Sequence, residues 1–197
     1  MRELLIATKN IGKIPEMAMP LEGTPFTIVS LLDMPGVEEV EETGHTYEEN
    51  AILKATAYGK KTGILALADD SGLEIDALGG EPGVQTAYFL SGTYQEKMTK
   101  LLEMLRDVPD SERGARFRSV VAVYDPGTDT VRTCEGVVEG SITREIRGEN
   151  GFGYDPIFDY ENSGKTGGEN AREEKLLLSH RARAMQKARE ILLKEFV

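Results

Sequence analysis

The chain has 197 residues, 40% of them hydrophobic and 29% charged, which fits one folded domain with a sizeable core and excludes a disordered chain. Asp and Glu outnumber Lys and Arg by 34 to 23, and the resulting net charge of −11 disfavours a sequence-independent grip on nucleic acid. Cys134 is the only cysteine, so an intrachain disulfide and a thiolate zinc site are excluded. The apolar stretch after Glu3 is too short for a signal peptide, and no run approaches the roughly 18 apolar residues of a membrane span, so no membrane partner and a cytoplasmic location are expected.

In chain order, Leu4 to Ala7 reads as a buried strand that runs through Thr8-Lys9-Asn10-Ile11-Gly12-Lys13 into a helix with Pro15 in its first turn. Thr27 to Ser30 is a second strand, and Val37 to Thr46 an acidic loop carrying Glu38, Glu39, Glu41 and Glu42. Thr46 and Glu49 form a capping box for a helix that reaches about Lys61 and stops at Gly63. Ile64 to Ala68 is a strand expected to deliver Asp69-Asp70-Ser71-Gly72 as a turn. Glycines around Pro82 mark a loop, and the spacing of Met98, Leu101, Leu102 and Leu105 predicts a helix from Tyr94 to Asp107. Phe117 to Tyr124 and Val131 to Val138 form a hairpin around Asp125-Pro126-Gly127. A glycine-rich stretch precedes Tyr154 to Phe158, Glu161 to Asn170 is a polar loop, and a last helix from Ser179 buries Met185, Ala188 and Leu192. Strands alternating with helices, followed by a hairpin, give an α/β fold with a mixed sheet in one domain, residues 1–197.

Asp69 and Asp70 are the first candidates for chemistry. Side chains alternate along a strand, so one carboxylate can face the core and its neighbour an open side, where it can hold a divalent cation and activate water. The alternative is an Asx-type turn in which Asp and Ser accept backbone N–H groups. The turn Thr8 to Lys13, with Lys9, Asn10 and Gly12, is a candidate anion site at a helix start, although it lacks the Walker A pattern. Glu41 or Glu42 could add an oxygen ligand to a cation at Asp70, and Lys54 could project from its helix toward it. In Phe152-Gly153-Tyr154-Asp155 the glycine lets the backbone approach a flat ligand, an aromatic can stack on it, and Asp155 can accept from ring N–H groups. Lys175 and Arg181 are donors suited to carbonyl or phosphate oxygens, and His180 lies at the same helix start.

Together these segments resemble the inosine triphosphate pyrophosphatase family. The pieces that carry the resemblance run from Ala7-Thr8-Lys9-Asn10 with Gly12-Lys13, through Glu41-Glu42-Thr43-Gly44, Glu49-Asn50-Ala51, Lys54-Ala55 and Ala68-Asp69-Asp70-Ser71-Gly72, to Gly151-Phe152-Gly153-Tyr154-Asp155-Pro156, Glu173-Glu174-Lys175 and Ser179-His180-Arg181. The resemblance implies an elongated mixed β-sheet flanked by helices, two lobes with a central cleft, and a homodimer. It implies magnesium (Mg²⁺)-dependent attack of water between the α- and β-phosphates of a purine nucleoside triphosphate, ITP, dITP or XTP, releasing the monophosphate and pyrophosphate. By the same resemblance Asp70 is general base and metal ligand, Glu41 or Glu42 is the second carboxylate, and Asp69 supports the pair. Thr8, Asn10, Lys13 and Lys54 contact the triphosphate with Ser71 nearby, and Phe152, Asp155, Lys175, His180 and Arg181 select the base. Donors suit the C6 oxygen of hypoxanthine and xanthine, where the amino group of adenine would leave them unpaired. One departure stands out: the chain reads Thr86-Ala87-Tyr88-Phe89 where the family usually has arginine at the third of these positions. A Maf-type pyrophosphatase of pyrimidine nucleotides and a non-catalytic nucleotide-binding module are the competing readings.

Overall fold

The computed structural model describes residues 2–34 and 36–197, and the side chains of all of these except Arg172, Glu173 and Lys175. Six strands form one sheet in the order β2-β1-β3-β4-β5-β6. They are β1 (Arg2–Ile6), β2 (Phe26–Ser30), β3 (Leu65–Ile75), β4 (Gly114–Asp125), β5 (Thr130–Ile142) and β6 (Phe158–Tyr160). The helices are α1 (Ile14–Ala18), α2 (Tyr47–Thr62), α3 (Tyr94–Met104), α4 (Arg172–Leu178) and α5 (His180–Glu195). β1 pairs in parallel with both β2 and β3, whereas β5 and β6 are antiparallel, so the sheet is mixed. Leu4, Leu5 and Ile6 have no exposed surface, as a parallel strand covered on both faces requires.

The chain folds as two compact units. The first comprises Met1–Asp70, Ser119–Gly136 and His180–Val197, the second Ser71–Arg118 and Val137–Ser179. In the first, Leu4, Ile6 and Leu67 pack with Val121 and with the Met185, Ala188 and Leu192 stripe of α5. In the second, Leu73 and Ile75 pack with Met98 and Leu101 of α3, Phe117 and Phe158.

The capping box at Thr46 and the left-handed Gly63, φ 72°, bound α2 where the sequence places them. The stretch Asp69-Asp70-Ser71-Gly72 differs from expectation: it is the interior of β3, not a turn, and Gly72 is absent from the glycines with positive φ. The strand tolerates two carboxylates because basic side chains meet both of them, as described below. α1 is also shorter than a full helix, with five residues followed by a single 3-10 turn, Met19–Leu21, at Pro20. α3 ends at Met104, three residues before the predicted stop, where the chain tightens toward Pro109. The short α4 ahead of α5 falls in sequence whose polar, broken pattern gave no helical period.

Gly136 sets how closely β5 approaches α5. A Cβ there would collide with the His180 carbonyl and the Ala184 amide nitrogen, both backbone atoms that cannot swing aside. Gly136→Ala is expected to cost about 1–3 kcal/mol, read as a lower urea midpoint with an unchanged m-value.

Candidate active site

The first unit assembles a charged cluster around the end of its stretch of β3. Consecutive strand residues point to opposite faces, and the partners of Asp69 and Asp70 show this separation. Asp69 meets Lys13, from the turn after β1, and Arg181 of α5; Asp70 meets Asn50 and Lys54 of α2.

On the Asp69 face, the turn is folded by its own side chains. Thr8 Oγ1 accepts from the Asn10 amide at 3.1 Å, Asn10 Oδ1 from the Gly12 amide at 2.9 Å, and the Asn10 carbonyl from the Lys13 amide at 3.0 Å. Five residues of α1 make a weak dipole, so any attraction for an anion here rests on the Lys13 ammonium. Lys9 turns away and donates to the Val37 carbonyl at 2.9 Å, tying the acidic loop to the turn. Lys13 Nζ lies 3.1 Å from both Asp69 oxygens, and Arg181 Nε donates to Asp69 Oδ2 at 2.9 Å. Arg181 Nη1 donates in turn to Glu16 Oε2. Burial alone would raise the Asp69 pKa, but Lys13 and Arg181 override it and hold the carboxyl well below its ordinary range. Burial pulls Lys13 below the usual lysine value against the attraction of Asp69.

On the Asp70 face, Asn50 and Lys54 lie four residues apart and share one side of α2. Asn50 Nδ2 donates to Asp70 Oδ2 at 3.2 Å and Lys54 Nζ to Asp70 Oδ1 at 3.1 Å. Lys54 Nζ also reaches Glu42 Oε1 at 2.6 Å, and Asn50 Oδ1 accepts from the Gly44 amide at 2.7 Å, which anchors the acidic loop. Both candidate glutamates are exposed, and of the two it is Glu42 that pairs with Lys54 beside Asp70. Burial and the nearby Glu42 charge raise the Asp70 pKa against the opposing pull of Lys54. Lys54 is raised too, because Asp70, Asp69 and Glu42 together outweigh its burial.

No cluster of three or more His, Cys, Asp or Glu side chains suited to a metal occurs among the described residues. Magnesium does not require one: it takes one or two protein carboxylates and fills its octahedron with water and phosphate oxygens. Glu42 and Asp70 fit that demand, since one ammonium already stands between their carboxylates. Burial pushes the Cys134 thiol up to about 11, so it is no nucleophile at neutral pH.

The second unit holds Ser71, partly buried on β3, and the loop before β6. Gly151 and Gly153 adopt φ of 76° and 68°, and between them Phe152 is 36% exposed. Asp155 is 2% exposed; Oδ2 accepts from the Phe152 amide at 2.7 Å and Oδ1 from the Tyr160 hydroxyl at 3.0 Å. It thus ties the loop that displays Phe152 to β6. Tyr154 is buried edge-on to Tyr94, ring centroids 5.6 Å apart, and burial pushes its phenol up to about 12. Tyr88, at the arginine position of the resemblance, is 75% exposed. Its loop is nonetheless pinned: Thr86 Oγ1 accepts from the Leu73 amide at 2.8 Å, and Lys97 Nζ donates to the Ala87 carbonyl at 2.7 Å.

Among the expected base donors, His180 is buried at the start of α5, and Arg181, 1% exposed, is placed in the ion pairs with Asp69 and Glu16. The Lys175 side chain lies outside the described residues. Glu16 was not singled out by sequence, and Asn50 entered only as part of the Glu49-Asn50-Ala51 piece of the resemblance, without a role. Asn50 carried a signal in its four-residue spacing from Lys54, whereas Glu16 becomes visible only once α5 is packed on α1.

The mixed α/β sheet thus carries on its central strand two differently neutralised carboxylates, one of them beside a second acid and a lysine. The chain belongs to the Ham1 family, whose model matches residues 4–191. It is 46% identical over 194 residues to the dITP/XTP pyrophosphatase of Bacillus licheniformis, covering 98% of each chain. It is likewise 46% identical over 189 residues to the dITP/XTP pyrophosphatase of Escherichia coli K12, covering 94% of this chain and 95% of that one. The HAM1 protein of Coxiella burnetii superposes with a TM-score of 0.89 at 40% identity over 98% of this chain and all of that one. The Staphylococcus aureus Ham1 protein gives 0.87 at 36% identity over the same shares.

Asp69→Asn leaves Lys13 and Arg181 facing a neutral amide, and is expected to cost about 3–5 kcal/mol at pH 7 in denaturant unfolding. The folded pKa of Asp69 lies below its ordinary 3.8, so its stabilisation is complete above that value and is lost as the pH falls below it. The gap between wild type and Asp69→Asn should therefore narrow as the pH is lowered from 5 toward 2.

Proposed function

We propose that this protein hydrolyses dITP, XTP and ITP between the α- and β-phosphates in a Mg²⁺-dependent reaction that yields the nucleoside monophosphate and pyrophosphate. One observation carries the reading. Asp70 is buried, hydrogen-bonded and raised in pKa beside Glu42 and Lys54, in a chain whose relatives bear the name dITP/XTP pyrophosphatase. Glu42 and Asp70 would hold the metal, which when bound supplies Lewis-acid activation of the phosphoanhydride.

The chain's own residues do the rest. Lys13 and Lys54 neutralise phosphate charge, with Thr8, Asn10 and Gly12 shaping the turn that presents Lys13 and with Ser71 following Asp70. Asp70 takes the proton of the attacking water, and its raised pKa brings it nearer to the pH at which a base works well. Asn50 keeps one Asp70 oxygen oriented. Phe152 stacks on the base, and His180 and Lys175 donate to the C6 oxygen of hypoxanthine or xanthine. We place this activity in the cytoplasm, in a homodimer; among the described residues no helix is long and apolar enough to cross a membrane.

A panel of dITP, XTP, dGTP, dATP and dTTP with Mg²⁺ and product identification tests this. Monophosphate plus pyrophosphate is expected, with kcat/KM for dITP and XTP on the order of 10²-fold or more above dATP. Orthophosphate as the first product, or a pyrimidine preference, would overturn it. Asp70→Asn should lower kcat by about 10²–10⁴-fold with the fold intact by circular dichroism. Glu42→Gln should raise the Mg²⁺ concentration for half-maximal rate by about tenfold, and Glu41→Gln by far less.

A further inference from the structure

Glu16, Arg181, Asp69 and Lys13 form a closed ring of alternating charge. Glu16 binds Arg181 Nη1, Arg181 Nε binds Asp69 at 2.9 Å, Asp69 holds Lys13 Nζ at 3.1 Å from each oxygen, and three residues of backbone return from Lys13 to Glu16. The side chains of Glu16, Arg181 and Asp69 are only 4%, 2% and 1% exposed. Lys13 is the one member that reaches solvent, at 17%. An ammonium has three N–H donors, and the hydrogen bonds of Lys13 Nζ to the two Asp69 oxygens leave it one more to give.

We infer that Glu16 is a positioning residue which, through Arg181 and Asp69, fixes the Lys13 ammonium for the phosphate groups of the substrate. The inference rests on the reading of Lys13 as a phosphate ligand. Charge balance explains the dependence. With Glu16 present, two carboxylates face two cations, and Asp69 can be shared between Arg181 and Lys13. Without it, Arg181 loses one carboxylate, and the guanidinium, which is more deeply buried, competes more strongly with the ammonium for Asp69. A buried ion pair is weak evidence for stability in itself, since well-packed apolar side chains can do as well. The ring's distinctive output is the placement of one partly exposed charge on a short turn.

The test measures KM and kcat for dITP in Glu16→Gln, Lys13→Ala and the double variant, with Glu16→Asp as the conservative control. Glu16→Gln should raise KM about tenfold with a smaller change in kcat, and Glu16→Asp should recover part of the loss. In the Lys13→Ala background the same change should add less than about twofold, because the pathway to the phosphates is already cut. Inorganic tripolyphosphate should inhibit Glu16→Gln more weakly than wild type, whereas inosine, which has no phosphate, should inhibit both alike. A full, additive loss in the Lys13→Ala background, or an equal loss toward inosine, would overturn the inference by reducing Glu16 to a general stabiliser.

Acetic anhydride labelling of the folded protein, read by mass spectrometry, separates this from failure of the functional reading. Lys13 should label about fivefold faster in Glu16→Gln, while Lys9 in the same turn is unchanged. Unchanged Lys13 labelling refutes the positioning role whatever the substrate proves to be. Faster labelling together with a wild-type KM in Lys13→Ala refutes only the assignment of Lys13 to phosphate.

Discussion

Two carboxylates on consecutive residues of this strand have separate hydrogen-bond partners, because the pleat sends them to opposite faces. Everything in the first unit's cluster follows from that constraint. Each buried carboxylate needs its own compensation, and each face supplies it from different elements: the turn after β1 together with α5 for Asp69, and α2 with the acidic loop for Asp70. The position of α5 is bound up with the same requirement. Gly136 lets β5 approach the first turn of that helix, the turn from which Arg181 reaches Asp69. A packing detail of a glycine thus reaches the electrostatics of the strand.

The sequence displayed the segments of this arrangement but not their pairings. The capping box and Gly63 bound α2, and the Met185, Ala188 and Leu192 stripe of α5 faces the core as its spacing required. These are local or periodic signals, and they survive folding. The Asp-Asp stretch was harder. Asp, Ser and Gly in succession read as a turn by propensity, and only side chains remote in sequence, Lys13 at 56 residues from Asp69 and Arg181 at 112, make a continuous strand tolerable. Tertiary ion pairs overrode local preference there.

The same reasoning explains why the direction of individual side chains is not legible in the sequence. Arg181 has the chemistry of a base-reading donor, and sequence cannot tell a guanidinium aimed at ligand from one buried between Glu16 and Asp69. Asp155 has the chemistry of a ring N–H acceptor, yet its oxygens serve Phe152 and Tyr160 within the loop. In both cases the residue type was informative and its direction was not, because direction depends on which neighbour arrives first in space. The choice between Glu41 and Glu42 is of the same kind. Adjacent residues of one type differ only in which way the loop turns, and the Gly44–Asn50 bond turns it so that Glu42 meets Lys54.

The two faces also differ in what they leave over, and this divides their work. On the Asp69 side, Lys13 and Arg181 both meet Asp69, Arg181 also meets Glu16, and the carboxylate is locked in its ionised form. On the Asp70 side, Glu42 and Asp70 share the Lys54 ammonium, and one negative charge remains uncompensated. That surplus, added to burial, is what lifts the Asp70 pKa. An under-neutralised cluster is stabilised by a cation and can accept a proton. Asp69 is therefore suited to hold position, and Asp70 to bind and to react.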